Sequence, residues 1–85
     1  MAWTRKGVTY VVTDAPCYEV DGGEIVDRYV GAEPMVGFST PSLPVAVHEA
    51  LGMIGGSRVV SIFEETKTLH GGYMARLLWQ EVRDV

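Results

Sequence analysis

Cys17, His48 and His70 carry the side chains of this 85-residue chain best suited to act as nucleophile, general base or soft metal ligand. A thiol enzyme needs its base held against the sulfur. Cys17 follows Pro16 in "DAPCYEV", and no nucleophile signature surrounds it. A small apolar filler is the reading that context favours. His48 falls on the polar side of a helical pattern and reads as a solvated histidine, and His70 precedes a Gly-Gly connector and reads as a turn residue. A structural zinc site usually wants four N/S ligands, and these three residues are the only candidates. Neither a metal nor a cofactor is expected, and the chain reads as a non-enzyme.

The carboxylates are the second set. "CYEVDGGEIVDRYV" places Glu19, Asp21, Glu24 and Asp27 around a double glycine. A calcium loop needs oxygen ligands at alternating positions, a central glycine and a closing glutamate at its twelfth position, a series that "DGGEIVDRYV" lacks. Asp-Gly-Gly between two β-rich runs is instead a hairpin signal, because glycine reaches positive φ without a Cβ clash. The acids are then either a solvated face or an acidic recognition surface. "GMIGGS" is not a phosphate loop: it lacks the Lys-Ser/Thr pair and follows a helix rather than preceding one.

Charge sharpens the second option. The chain carries a net −4. From Gly7 to Ser57 seven acids face one base, Arg28, a net −6, whereas from Arg58 onward four bases offset four acids. Such a field attracts basic surfaces and repels nucleic acid. Arg5, Lys6, Arg58, Lys67, Arg76 and Arg83 are scattered rather than clustered, so direct nucleic-acid binding is not expected.

These groups have to be positioned by a small fold. Eighty-five residues make one domain, 1–85, which buries only about 60% of the surface of its unfolded chain. "GVTYVVT" (7–13) reads as a strand, "CYEV" and "EIVDRYV" as the two arms of the hairpin, and "RVVSIFEE" (58–65) as a further strand. "GAEPMVGFSTPS" (31–42) reads as a long loop. Its Met35, Val36 and Phe38 either form an apolar interaction tip or fold back over the sheet. In "LPVAVHEALGMI" (43–54), Leu43, Ala46, Val47, Ala50, Leu51, Met53 and Ile54 share one side of a helix. Ser42 is its cap, Pro44 fits the first turn, and Gly55 or Gly56 is expected to end it in a left-handed conformation.

"YMARLLWQEV" (73–82) fits either a strand, with Tyr73, Ala75, Leu77 and Trp79 on one face, or a helix. The strand is favoured, because covering one helix needs a sheet of that width. The expected fold is α+β: an antiparallel sheet of four to five strands with one amphipathic helix on one face, in the order β-β-β-α-β-β.

No apolar run approaches the roughly 20 residues that cross a bilayer, and "MAWTRKGVTYVV" lacks signal-peptide features. With a single cysteine there is no internal disulfide, and a bacterial cytoplasm is the expected compartment.

A small, acidic, single-domain α+β chain without a catalytic constellation resembles the anti-CRISPR proteins, phage-encoded inhibitors of bacterial defence. The resemblance covers size, charge and fold style along the chain. It implies an inhibitor that docks on a basic, nucleic-acid-handling surface of a CRISPR-Cas effector subunit and blocks it sterically. On this reading Glu19, Asp21, Glu24 and Asp27 form the partner-binding face, with Met35 and Phe38 as apolar anchors. The alternative is an accessory or homo-oligomeric subunit, a homodimer for instance, of a bacterial or phage assembly.

Overall fold

The structure is a computed structural model that describes residues 7–14, 28–57 and 59–82. Its elements are β1 (Val8–Thr13), β2 (Arg28–Gly31), β3 (Phe38–Thr40), α1 (Leu43–Met53), β4 (Val59–Lys67) and β5 (Tyr73–Val82). They make one five-stranded antiparallel sheet in the order β2-β5-β4-β1-β3. The α+β class and the β-β-β-α-β-β order are those expected from the sequence, and "YMARLLWQEV" is the strand.

The identity of one strand differs. Phe38–Thr40 lies inside the stretch read as loop, yet it pairs with β1, Tyr10 opposite Thr40 and Val12 opposite Phe38. Three residues carry too little pattern to announce a strand, and here the pairing comes from β1. The expected arm "CYEV" lies outside the described residues, while β2 pairs with β5.

β1 and β4 hold the centre. Both are β-branched or aromatic through most of their length, and most of their residues are buried, as suits strands covered on both faces. Alternation sends Val8, Tyr10, Val12, Val60 and Ile62 to one face, where Ala46 and Ala50 of α1 close over them. Val11, Phe63 and Ala75 point to the other face and meet Met35, with Tyr29 and Leu77 at the margin.

Met35 thus takes the fold-back alternative. Only 4% of it is exposed, so it is a core residue rather than a tip anchor. Its amide donates to Oε2 of buried Glu65 at 2.8 Å, and the Tyr29 hydroxyl donates to the Glu33 carbonyl at 2.7 Å. These bonds hold residues 32–37 as a strap across the face opposite α1. Gly37 passes so close to β1 that a Cβ there would stand 2.5 Å from the Val12 carbonyl oxygen.

The helix begins as expected: the Val45 amide donates to Ser42 Oγ at 3.4 Å, and Pro44 sits in the first turn. Its end is a correction. Ile54 is the cap in ordinary right-handed geometry, and neither Gly55 nor Gly56 adopts positive φ. The Gly56 amide donates to the Met53 carbonyl at 3.1 Å, so a tightened last turn replaces the left-handed cap. The β4–β5 turn does use glycine in this way: Gly71 has φ 84°.

Candidate docking groove

The apolar arc of α1 is wider than the surface it covers. Ala46 and Ala50 are buried, and Met53 and Ile54 pack partly against the same cluster. Leu43, Val47 and Leu51, expected on that same side, remain exposed, with Leu51 at 61%. The cause is lateral placement. α1 packs on β1, β3 and β4 and not on β5.

β5 contributes the opposite wall through an irregularity. Ile62 pairs with Trp79 and Phe63 with Leu77, so Leu78 is an extra residue between two ladder pairs. Such a bulge shifts the phase of the strand beyond it. Before it, Ala75 and Leu77 lie on the strap side; beyond it, Trp79 packs in the α1 cluster. This corrects the single face expected for Tyr73, Ala75, Leu77 and Trp79. It also aims the adjacent Leu78 and Trp79 at the same space.

The result is a half-open groove of about 470 Å³. Leu43, Val47, Ala50 and Leu51 form the helix wall, Ile62 the floor, and Leu78 with Trp79 the sheet wall. The one polar side-chain atom these residues own is the indole Nε1 of Trp79. Away from the groove the same sheet face stays bare over β5 and β2, where paired Val30 and Met74 are both exposed. Glu64 lies on this face with Arg76 opposite it, Nη2 to Oε1 3.7 Å. Most of the Arg76 side chain is exposed, so the pair adds little to stability. Glu81, opposite Val60, is exposed at the far end of the sheet wall.

Glu19, Asp21, Glu24 and Asp27 lie outside the described residues, as does Cys17. Met35 and Phe38 do not come together. Met35 is inside the strap-side core, whereas Phe38, 38% exposed, stands opposite Val12 on edge strand β3. His48 and His70 are exposed. Among the described residues no three His, Cys, Asp or Glu side chains gather as a metal site. No described helix is long and apolar enough to cross a membrane.

Sequence reasoning identified all four helix-wall residues but assigned them to the core. It placed Leu78 only on the apolar arc of the helical alternative, and the strand reading gave it no role, because the run Leu77-Leu78-Trp79 fits a helix as readily as a strand with an extra residue. Compared with known proteins, the chain matches no family model, no curated protein and no solved structure.

Proposed function

We propose that this chain is a non-catalytic protein-binding module that docks through the α1–β5 groove and blocks its partner sterically. The observation that carries this reading is the uncovered apolar side of the molecule. Val30, Leu43, Val47, Leu51, Met74 and Leu78 are all exposed there. Apolar surface gathered on one side of a small protein marks an interaction site.

Charge narrows the partner. A net −4, concentrated between Gly7 and Ser57, favours a basic surface and speeds encounter with it. Glu19, Asp21, Glu24 and Asp27 supply much of that field. The resemblance to anti-CRISPR proteins points to the nucleic-acid-handling surface of a CRISPR-Cas effector, reached in the bacterial cytoplasm during phage infection.

A homo-oligomeric subunit is the second reading. β2 covers the outer edge of β5 only as far as Arg76, and among the described residues nothing pairs with that edge from Leu77 to Val82. An open edge can pair with a second copy.

The test is binding to a panel of purified CRISPR effector complexes by interferometry, in low and high salt, with sedimentation of the free protein alongside. The reading expects a complex that Leu51→Asp abolishes and that reversal of Asp21, Glu24 and Asp27 to lysine weakens. Failure to bind any complex, together with a salt-resistant dimer, would replace it with the subunit reading.

A further inference from the structure

We infer that the α1–β5 groove binds the hydrocarbon chain of a free anionic amphiphile, a medium-chain fatty acid for instance, with its head at the Arg76 end. This goes beyond the protein-binding reading. It adds a small ligand that fills the same groove and competes with the partner for it.

Size and lining are the first argument. A cleft of about 470 Å³ lies within the range of small-ligand sites. Six of its seven lining residues have purely hydrocarbon side chains, and the seventh, Trp79, adds one indole N–H. A polar group buried against such walls finds no partner, and leaving water without one is costly. A saturated chain has no polar group to leave unpaired. The helix wall from Leu43 to Leu51 runs for about 12 Å, eight residues of rise. With C–C bonds of about 1.5 Å, an extended chain advances about 1.25 Å per carbon, so about ten carbons span that wall.

The two ends of the groove differ in charge, which is the second argument. Thr40 stands opposite Tyr10, Tyr10 opposite Glu64, and Glu64 opposite Arg76. α1 starts at Leu43, just after Thr40, and the chain leaves it to enter β4 at Val59, opposite Val82. The Leu43 end of the groove therefore lies toward Arg76 and the Leu51 end toward Glu81. Arg76 makes one long contact of 3.7 Å to Glu64, yet 66% of its side chain is exposed against 18% for Glu64. A guanidinium carries five donors, so a ligand that reaches it from solvent still finds some free. The N-terminus of α1, with no acid in its first turn, adds the positive end of the helix dipole on this side. Exposed Glu81 disfavours an anion at the other end.

Donor chemistry completes the match. Arg76 and the Trp79 indole donate hydrogen bonds and cannot accept them. The complementary head is an acceptor, and next to a guanidinium the strong acceptors are anions such as a carboxylate.

The test titrates the full chain with monomeric hexanoate, octanoate and decanoate, and with decyltrimethylammonium, each below its micelle concentration. Methyl NMR follows Leu43, Val47, Leu51 and Leu78. The expected result is saturable shifts at these methyls, with affinity rising about fourfold per methylene from hexanoate to decanoate. Decanoate is expected to bind about threefold tighter than the ammonium, and Arg76→Gln to erase that preference. Leu51→Asp is expected to weaken decanoate at least about tenfold. Leu51 is exposed, so that variant keeps its fold, which its spectrum verifies. No saturable shift, an affinity that ignores chain length, or tighter binding of the ammonium overturns the inference. Binding to phosphatidylglycerol vesicles with no response to monomeric decanoate assigns the groove to a membrane surface and also overturns it. Competition separates this inference from the protein-binding reading. Decanoate is expected to displace an effector complex held through Leu51, and coexistence of the two on one chain overturns the shared groove. If no amphiphile binds while an effector still depends on Leu51, only this inference falls. If amphiphiles bind and no effector does, it stands and the protein-binding reading falls. If neither binds, both fall.

Discussion

On the α1 side of the sheet, cover comes from a rigid helix that lies on three strands, is met from β5 by Trp79, and leaves the rest of that face exposed. On the opposite side it comes from a strap of six residues, drawn down by Met35 and tied by Glu65 and Tyr29. The helix satisfies its own backbone and so can stop anywhere over the sheet. The strap has no internal ladder, so its backbone must find partners on the sheet side, and in doing so it closes that core. One face is therefore a finished interior, while the other carries apolar surface that needs a further layer. This difference predicts where substitutions cost stability and where they cost binding.

The largest expected effect lies under the strap. Phe63 is fully buried between β1, β5 and Met35, and Phe63→Ala is expected to cost about 3–5 kcal/mol in a urea unfolding experiment. A cost under about 1 kcal/mol would mean that this face is not a closed core. Next comes the tie itself. Glu65→Ala removes the acceptor of the buried Met35 amide and is expected to cost about 1–3 kcal/mol, with faster hydrogen exchange at that amide. Glu65→Gln keeps an acceptor oxygen and should recover much of the loss.

Ser61 sharpens the comparison in the opposite direction. It is 1% exposed and its hydroxyl has no hydrogen-bond partner among the described residues. Ser61→Ala is expected to leave stability unchanged or raise it by up to about 1 kcal/mol, since an unmet buried hydroxyl is removed. A clear destabilisation would show that the hydroxyl is paired. The smallest effect on stability belongs to the groove. Leu51→Asp is expected to move the unfolding free energy by no more than about 0.5 kcal/mol while removing partner binding.

Much of this fold was legible in the sequence, and the reasons are specific. The helix from Leu43 stood out because its apolar period is long, whereas Tyr73–Val82 fitted two periods and was read as a strand from the sheet width one helix needs. β3 was not legible, because three residues between Gly37 and Pro41 look like loop until β1 supplies their hydrogen bonds. The strap was readable only as an open choice, since the apolar character of Met35 says that it packs somewhere but not on what. The groove was hidden for a different reason. A 3.6-residue period shows which helix residues are apolar, but not how far across the sheet the helix will sit. The bulge at Leu78 is set by the β4–β5 register, and its one trace in the sequence, the apolar run Leu77-Leu78-Trp79, is equally what a helix would show.

The most direct test of the central claim is a cross-saturation NMR experiment on the chain bound to an effector complex identified by the binding panel. Leu51 and Leu78 report on the groove, and Val36, 72% exposed on the strap, reports on the other face. The account predicts loss of methyl intensity at Leu51 and Leu78 with Val36 unaffected. Loss at Val36 with the groove methyls untouched would place the partner on the strap and contradict it.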